Sequence, residues 1–141
     1  MVDGFERLWS EHRDVERQFS RYADRPDDAI AREICEKLTL HATIEERVLY
    51  PELRRVGDGG DDLADDAAAE HLMAKMIISR IYDSSPADLE SLVRRLERIV
   101  AAHVQFEEDS IFPAMNEAGI DVNELAHRLD AAASEASARY S

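Results

Sequence analysis

Apolar residues recur every three or four positions along most of the chain, which is the period of an α-helix buried on one side. Four long stripes of this kind follow one another, and the segments DRPDD (24–28), GDGGD (57–61) and SSPAD (84–88) separate them. Pro26 breaks the first stripe, Asp27 or Asp28 is a predicted cap of the second helix, and Ser85 caps a helix that begins at Pro86. No segment alternates as a half-buried strand would.

The lengths of the stripes and of the breaks between them predict the architecture. Long helices joined by short turns pack as antiparallel neighbours. A shorter stripe from Val122 to Ala132 follows the segment EAGID. We therefore predict an all-α fold, an up-down-up-down antiparallel four-helix bundle over residues 1–118. An additional short C-terminal helix within residues 119–141 packs on or beside it, so the chain is one domain overall.

Composition and charge limit the partners of this bundle. The 141 residues suit one domain, and the 45% apolar and 34% charged residues suit a globular protein with a charged surface. The net charge of −14 disfavours nucleic acid and anionic membranes as partners. No apolar run approaches the roughly 18 residues of a membrane span, and no signal peptide is visible. With Cys35 as its single cysteine, the chain is expected in the cytoplasm.

Histidines stand on the apolar stripes, where polar side chains are unusual. One histidine falls on each long stripe, whereas His127 lies off the stripe of its segment. Counting residues from the predicted turns at 1.5 Å per residue puts the four at one level of the bundle. The His-x-x-x-Glu spacing adds a glutamate to the same face of two helices. The resulting set is His12, His41, Glu45, His71, His103 and Glu107.

Two buried carboxylates beside four imidazoles are costly unless a cation neutralises them. A single stripe histidine is more often a satisfied core residue, but four at one level favour a metal site. Imidazole with carboxylate suits iron or manganese, and zinc less exclusively. His41 and Glu45 recur 62 residues later as His103 and Glu107. We therefore expect two related hairpins, one ion in each half, and both glutamates shared.

The segments HATIEERVLYP (41–51) and HVQFEEDSIFP (103–113), with His12 and His71, carry a family resemblance. This pattern, over residues 5 to about 115, resembles the hemerythrin-like family of HHE cation-binding domains. The resemblance implies two iron ions bridged by Glu45, Glu107 and an oxo or hydroxo group, with manganese or zinc less expected. Oxygen carriers of the family have a second histidine where Lys75 stands, which disfavours simple reversible oxygen carriage here.

The missing histidine leaves one metal position without a donor. Glu46, Glu70, Glu108 and Tyr50 are candidates for an additional ligand or for the surrounding shell. Tyr50 lies nine residues after His41, about 180° away on a straight helix. A kink at Pro51 would let the phenol turn inward, and an aromatic core or rim residue is the alternative. The counterpart Phe112 cannot ligate a metal. Trp9 and Phe106 are predicted to pack around the site.

The resemblance implies a non-haem di-iron protein that reacts with oxygen, hydrogen peroxide or nitric oxide in oxidative or nitrosative defence. Catalase-like or nitric-oxide-reducing turnover, with a reductant the sequence does not identify, would make it an enzyme. The alternative is a non-catalytic module for iron or oxygen sensing, oxygen binding or metal binding. A bundle that binds metal only for stability is a third interpretation. Both a monomer and a homodimer are compatible with the sequence.

Overall fold

The computed structural model describes residues 2–140, with side chains up to residue 138. Within that range there are seven α-helices, two single-turn π-helices and no strand, which confirms the all-α fold. The α-helices are α1 (Gly4–Asp24), α2 (Asp28–Ile44), α3 (Tyr50–Arg54), α4 (Gly60–Tyr82), α5 (Pro86–Phe106), α6 (Phe112–Glu117) and α7 (Val122–Tyr140). The π-helical turns Glu45–Leu49 and Glu107–Ile111 join α2 to α3 and α5 to α6. Four continuous helical rods therefore form the bundle: α1, α2 with α3, α4, and α5 with α6.

The helix starts follow from local chemistry. The Asp27 carboxylate accepts a hydrogen bond from the backbone N–H of Ala29 at 2.7 Å, so Asp27 rather than Asp28 caps α2. Ser85 is the N-cap residue of α5, but its hydroxyl bonds to the Asp88 carboxylate at 3.2 Å instead of capping the backbone. Gly59 precedes α4 at a φ of +106°, a conformation that only glycine adopts readily.

The rods pair as α1 with α2 and α4 with α5, and α2 also contacts α4. Helix α7 packs against α1 and α2, so it lies beside the first hairpin. Gly4 permits this close approach, because a Cβ at that position would meet the Leu125 side chain at 2.6 Å. Helix α7 runs to Tyr140, well beyond the apolar stripe that ends at Ala132. None of the described helices is long and apolar enough to cross a membrane.

Two separate apolar clusters form the core. One surrounds Phe19, Ile34 and Leu96, and the other includes Leu49 and Leu53 with residues of α6 and α7. The boundary between them is sharp on α1, where Leu8 belongs to the second cluster and Val15 to the first. His12 lies between those two residues. The bundle therefore holds a polar layer between two apolar ones.

Candidate metal centre

The two π-helical turns set the orientation of the residues that follow them. The Tyr50 N–H donates to the Glu45 carbonyl and the Phe112 N–H to the Glu107 carbonyl, five residues back in each case. Proline follows both aromatic residues. A π turn delays the helix by about one residue, or roughly 100° of rotation. Tyr50 therefore faces the bundle interior, and the wide turn before it, rather than a kink at Pro51, is the cause.

The predicted imidazoles and carboxylates meet in the polar layer. Glu45 and Glu107 are 0% exposed, and each of the four histidines is at most 8% exposed. They form two groups, in each of which the candidate ligand atoms lie within 4.8 Å of one another. The first half-site contains His12, His41, Glu45 and Glu107, and the second contains Glu45, His71, His103 and Glu107. Both glutamates thus belong to both half-sites, as the internal repeat predicts.

A phenol hydroxyl lies at the centre of the second half-site. The Tyr50 hydroxyl donates to Glu107 Oε2 at 2.8 Å and lies 2.9 Å from His71 Nε2. It is also 3.3 Å from His103 Nε2. The Nε2 atoms of His71 and His103 are themselves 3.0 Å apart. Four polar groups of different helices therefore converge on one small volume.

The first half-site contains two buried polar atoms that lack hydrogen-bond partners. His41 Nε2 and Glu45 Oε2 are 3.2 Å apart, but their orientation does not allow a hydrogen bond. On the other side of this half-site the Phe112 ring stacks on His12, with centroids 6.0 Å apart. Leaving a buried donor or acceptor unpaired costs about 1–3 kcal/mol. A metal ion would satisfy both atoms, so the donor set fits a cation.

Each site histidine makes a hydrogen bond through Nδ1 to a carboxylate of another rod. Glu11 bonds to His41, Glu46 to His71, Glu70 to His103, and Glu108 to His12, at 2.7–2.8 Å. These four carboxylates, here called the outer ring, connect α1 to α2, the first π turn to α4, α4 to α5, and the second π turn to α1. A carboxylate on Nδ1 fixes the imidazole tautomer and turns Nε2 towards the centre.

The outer ring includes a residue that the sequence interpretation did not identify. Glu46, Glu70 and Glu108 were among the predicted additional groups, but Glu11 was not. The signal was present, because every outer-ring carboxylate is the immediate sequence neighbour of a candidate ligand. Glu11 precedes His12 as Glu70 precedes His71, so the internal repeat that relates the two hairpins would have found it.

Charge counting also supports a cation at the centre. Glu45, Glu107 and the outer ring carry six negative charges. Three cations contact the ring, because Arg7 bonds to Glu11, Arg13 to Glu108, and Lys75 to Glu46. About three negative charges remain if the histidines are neutral. Two of these charges, on Glu45 and Glu107, are fully buried and need compensation, which bound metal cations would provide.

The pKa shifts of the metal-free centre have the same cause. Burial lowers the pKa of His41, but the Glu45 charge and the hydrogen bond with Glu11 outweigh burial and raise it to about 10. Burial likewise lowers the pKa of His103, yet hydrogen bonds with Glu107 and Glu45 raise it to about 11. Burial and the charges of the same two carboxylates raise the pKa of Tyr50. Without metal, the centre therefore retains protons that a cation would displace.

A small, mainly apolar cavity of about 40 Å³ adjoins the histidines. Its walls are the four site imidazoles and mainly aliphatic side chains, among them Val15, Leu38, Ile78, Val100 and Val104. Since about 10–15 Å³ of such space is enough for one water molecule, the cavity has room for a molecule of only a few heavy atoms. Trp9 does not shield it as predicted: the indole is 50% exposed, with the Arg13 guanidinium 4.8 Å from the ring centre.

Comparisons with known proteins agree with this geometry. The model of the hemerythrin HHE cation binding domain matches residues 3–115, and the chain belongs to this family. The buried histidine and glutamate groups are accordingly a metal-binding site.

A crystal structure of a hemerythrin HHE cation binding domain-containing protein from Mycobacterium kansasii has the same fold. The TM-score is 0.82 at 24% identity, over 99% of this chain and 91% of that one. A DNA nickase of Nostoc sp. is 35% identical over 85 residues, which are 59% of this chain and 24% of that protein. The match therefore spans about a quarter of the length of that curated relative.

Proposed function

We propose that the centre binds two iron ions, one in each half-site, and that the protein reacts with a small oxidant: oxygen, hydrogen peroxide or nitric oxide. His12 and His41 would hold one ion, and His71 and His103 the other. Glu45 and Glu107 would contact both, because each belongs to both groups of candidate ligand atoms. Manganese suits the same donors, and zinc suits them less exclusively.

The cavity beside the histidines is the observation that carries the choice of substrate. It is small and mainly apolar, with a volume of about 40 Å³. A diatomic molecule or hydrogen peroxide fits this volume, whereas a metabolite of ordinary size does not. An iron pair, when bound, can exchange two electrons with such a molecule. The aliphatic walls exclude bulk water from the same space, which protects reactive species from side reactions.

The chain's own residues divide the remaining tasks. The outer ring holds each imidazole in one tautomer with Nε2 towards the centre. In the metal-free protein the Tyr50 hydroxyl is neutral and donates a hydrogen bond to Glu107 Oε2 at 2.8 Å. A cation within reach of that oxygen favours the phenolate instead, so we propose Tyr50 as a ligand of the second half-site. Phe112 supplies only an apolar face to the first half-site, which makes the two ions unequal.

The decisive experiment is a metal assay followed by exposure to each oxidant. Protein reconstituted with ferrous iron without oxygen should contain about two irons per chain. Oxygen evolution from hydrogen peroxide or consumption of nitric oxide should then exceed that of a zinc-loaded sample, the matched control for a redox-inactive ion.

Each result has a definite meaning. Less than about one iron per chain would overturn the di-iron proposal. Two irons with no consumption of oxygen, peroxide or nitric oxide would contradict the reactive role and favour sensing or metal binding. The metal should leave on acidification, because protons compete for the imidazoles. Retention at low pH would contradict histidine ligation.

A further inference from the structure

The outward face of α4 carries a run of exposed apolar side chains. Leu72 is 60% exposed, Met73 53% and Met76 60%. With Ala69, which is also exposed, they follow the helical spacing i, i+3, i+4, i+7. These four residues are here called the α4 stripe. Neighbouring exposed apolar residues of this kind mark an interaction surface more often than isolated ones do.

The two ends of the stripe differ in charge. Towards the start of α4 lie four exposed aspartates: Asp61, Asp62, Asp65 and Asp66. Towards its end lies Arg80, which lines a surface depression together with Arg95 of the adjacent α5 and with Asp83 and Asp88. Neither arginine has an ion-pair partner among the side chains of residues 2–138, although the chain carries a net charge of −14. Cations without an internal partner in so acidic a protein are available to an external one.

The spacing of Asp65 and Arg80 along α4 is self-complementary, although a two-fold axis that pairs them also brings Asp62 opposite Asp83 further out. A two-fold axis between Leu72 and Met73 places Asp65 of one copy opposite Arg80 of an antiparallel second copy. Ala69 then faces Met76, and the charge pairs lie about 11 Å along the helix on either side of the axis. On a helical wheel Asp65, the stripe and Arg80 all lie within about 50° of one direction. A surface that matches its own rotated copy is what a two-fold dimer requires.

We propose that the α4 stripe is a dimer interface and that its occupant is a second copy of this chain. The apolar centre supplies the burial, and the aspartate and arginine ends set the antiparallel direction. Other features are compatible with this choice. Helix α7 is already packed on α1 and α2 within the same chain. His71 is on the opposite side of α4 from the stripe, so the dimer leaves the metal centre in place.

Charge reversal tests the proposal on the full-length, metal-loaded protein by sedimentation velocity over a range of concentrations. Asp65→Arg and Arg80→Asp should each weaken the dimer by about tenfold or more, because each places like charges opposite one another. The double variant Asp65→Arg/Arg80→Asp should restore it. An equimolar mixture of the two single variants should form more heterodimer than homodimer. Met73→Gln should weaken the dimer without altering this charge pattern.

Controls separate the interface from general damage. Asp65 also bonds to Arg54 within the chain at 2.8 Å, so Arg54→Ala removes that bond and should leave the dimer intact. Trp9→Gln removes a comparably exposed apolar side chain from α1 and should also have no effect. Circular dichroism and metal content verify folding, and Asp65→Asn, which removes the charge, replaces Asp65→Arg if the latter unfolds. A monomeric wild type, or a dimer indifferent to these reversals and to Met73→Gln, would overturn the proposal.

Discussion

The two half-sites share one backbone design but differ at a single aromatic position. Each repeat contains a π turn that begins at a shared glutamate and ends just before an aromatic residue and proline. Each aromatic ring contacts a histidine of the other repeat. The ring centroids are 5.1 Å apart for Tyr50 and His71, and 6.0 Å apart for Phe112 and His12. The second half-site thus gains a hydroxyl, and the first gains only an apolar face. The two repeats thus have the same backbone geometry, and the hydroxyl oxygen of Tyr50 makes the half-sites chemically different.

The half-sites also differ in the cations that contact their outer-ring carboxylates. Glu11, on His41, bonds to Arg7, and Arg7 pairs with Asp130 of α7. The first half-site is therefore connected to the helix that packs on its hairpin. In the second half-site Lys75 bonds to Glu46 at 2.8 Å. The outer ring of the first half-site is therefore connected to α7 through Arg7, whereas that of the second half-site contacts the surface residue Lys75.

Loss of a shared carboxylate should have the largest effect, because it removes a donor from both halves at once. Glu107→Ala should lower the iron content from about two per chain to well below one. His41→Ala, which alters the first half only, should retain about one iron. Inductively coupled plasma mass spectrometry on reconstituted protein measures both. Equal iron content in the two variants would contradict the sharing of Glu107.

Removal of the hydroxyl should make the halves alike. Tyr50→Phe should abolish a visible phenolate-to-iron band and change peroxide turnover by at least tenfold, since a group in contact with the reacting centre is lost. Tyr22→Phe is the matched control, because Tyr22 is equally buried at 4% exposure but lies in the apolar cluster around Phe19. Phe112→Tyr should place a hydroxyl beside His12 and alter the spectrum. An unchanged band in Tyr50→Phe would exclude ligation by Tyr50.

The metal-free protein should lose stability as the pH rises. The folded-state pKa values of His41 and His103 are raised to about 10 and 11. A raised histidine pKa stabilises the fold fully below its unfolded value near 6.5, and this stability disappears as the pH passes the folded pKa. Thermal unfolding of the metal-free protein should thus occur at lower temperature at pH 10 than at pH 7. Metal-loaded protein should show a smaller decrease, because the ions replace these protons; an equal decrease would contradict this account.

The contact with α7 should have the smallest effect and should act on one half only. Asp130→Asn removes the charge that holds Arg7 near Glu11 and His41. Since direct outer-shell contacts are worth about 10- to 100-fold in metal affinity, this more remote change should cost less than tenfold. Chelator competition should show it for one of the two ions. Asp66→Asn, an exposed carboxylate outside the ring, should change neither affinity.

Much of the fold was predictable because helical periodicity and turn residues are local signals. The stripes, DRPDD, GDGGD and SSPAD placed all four rods, and the structure confirms them. The His-x-x-x-Glu spacing also anticipated which six residues meet in the polar layer. Three features were not predicted from the sequence: the π turns, the exposed position of Trp9, and the hydrogen bond between Glu11 and His41. Each depends on contacts between rods, which a helical wheel drawn for one segment does not contain.

The sequence by itself determined the helices, the level of the histidines and the pairing of two repeats, because side-chain spacing along a helix decides which residues share a face. Only the tertiary structure decided which side chains of the neighbouring rods contact those faces. Tyr50 reaches His71 because a π turn before Pro51 delays the helix by about one residue. Every imidazole is oriented by a carboxylate from the neighbouring rod. These contacts join residues far apart in the chain, so their energies arise only when the bundle is assembled.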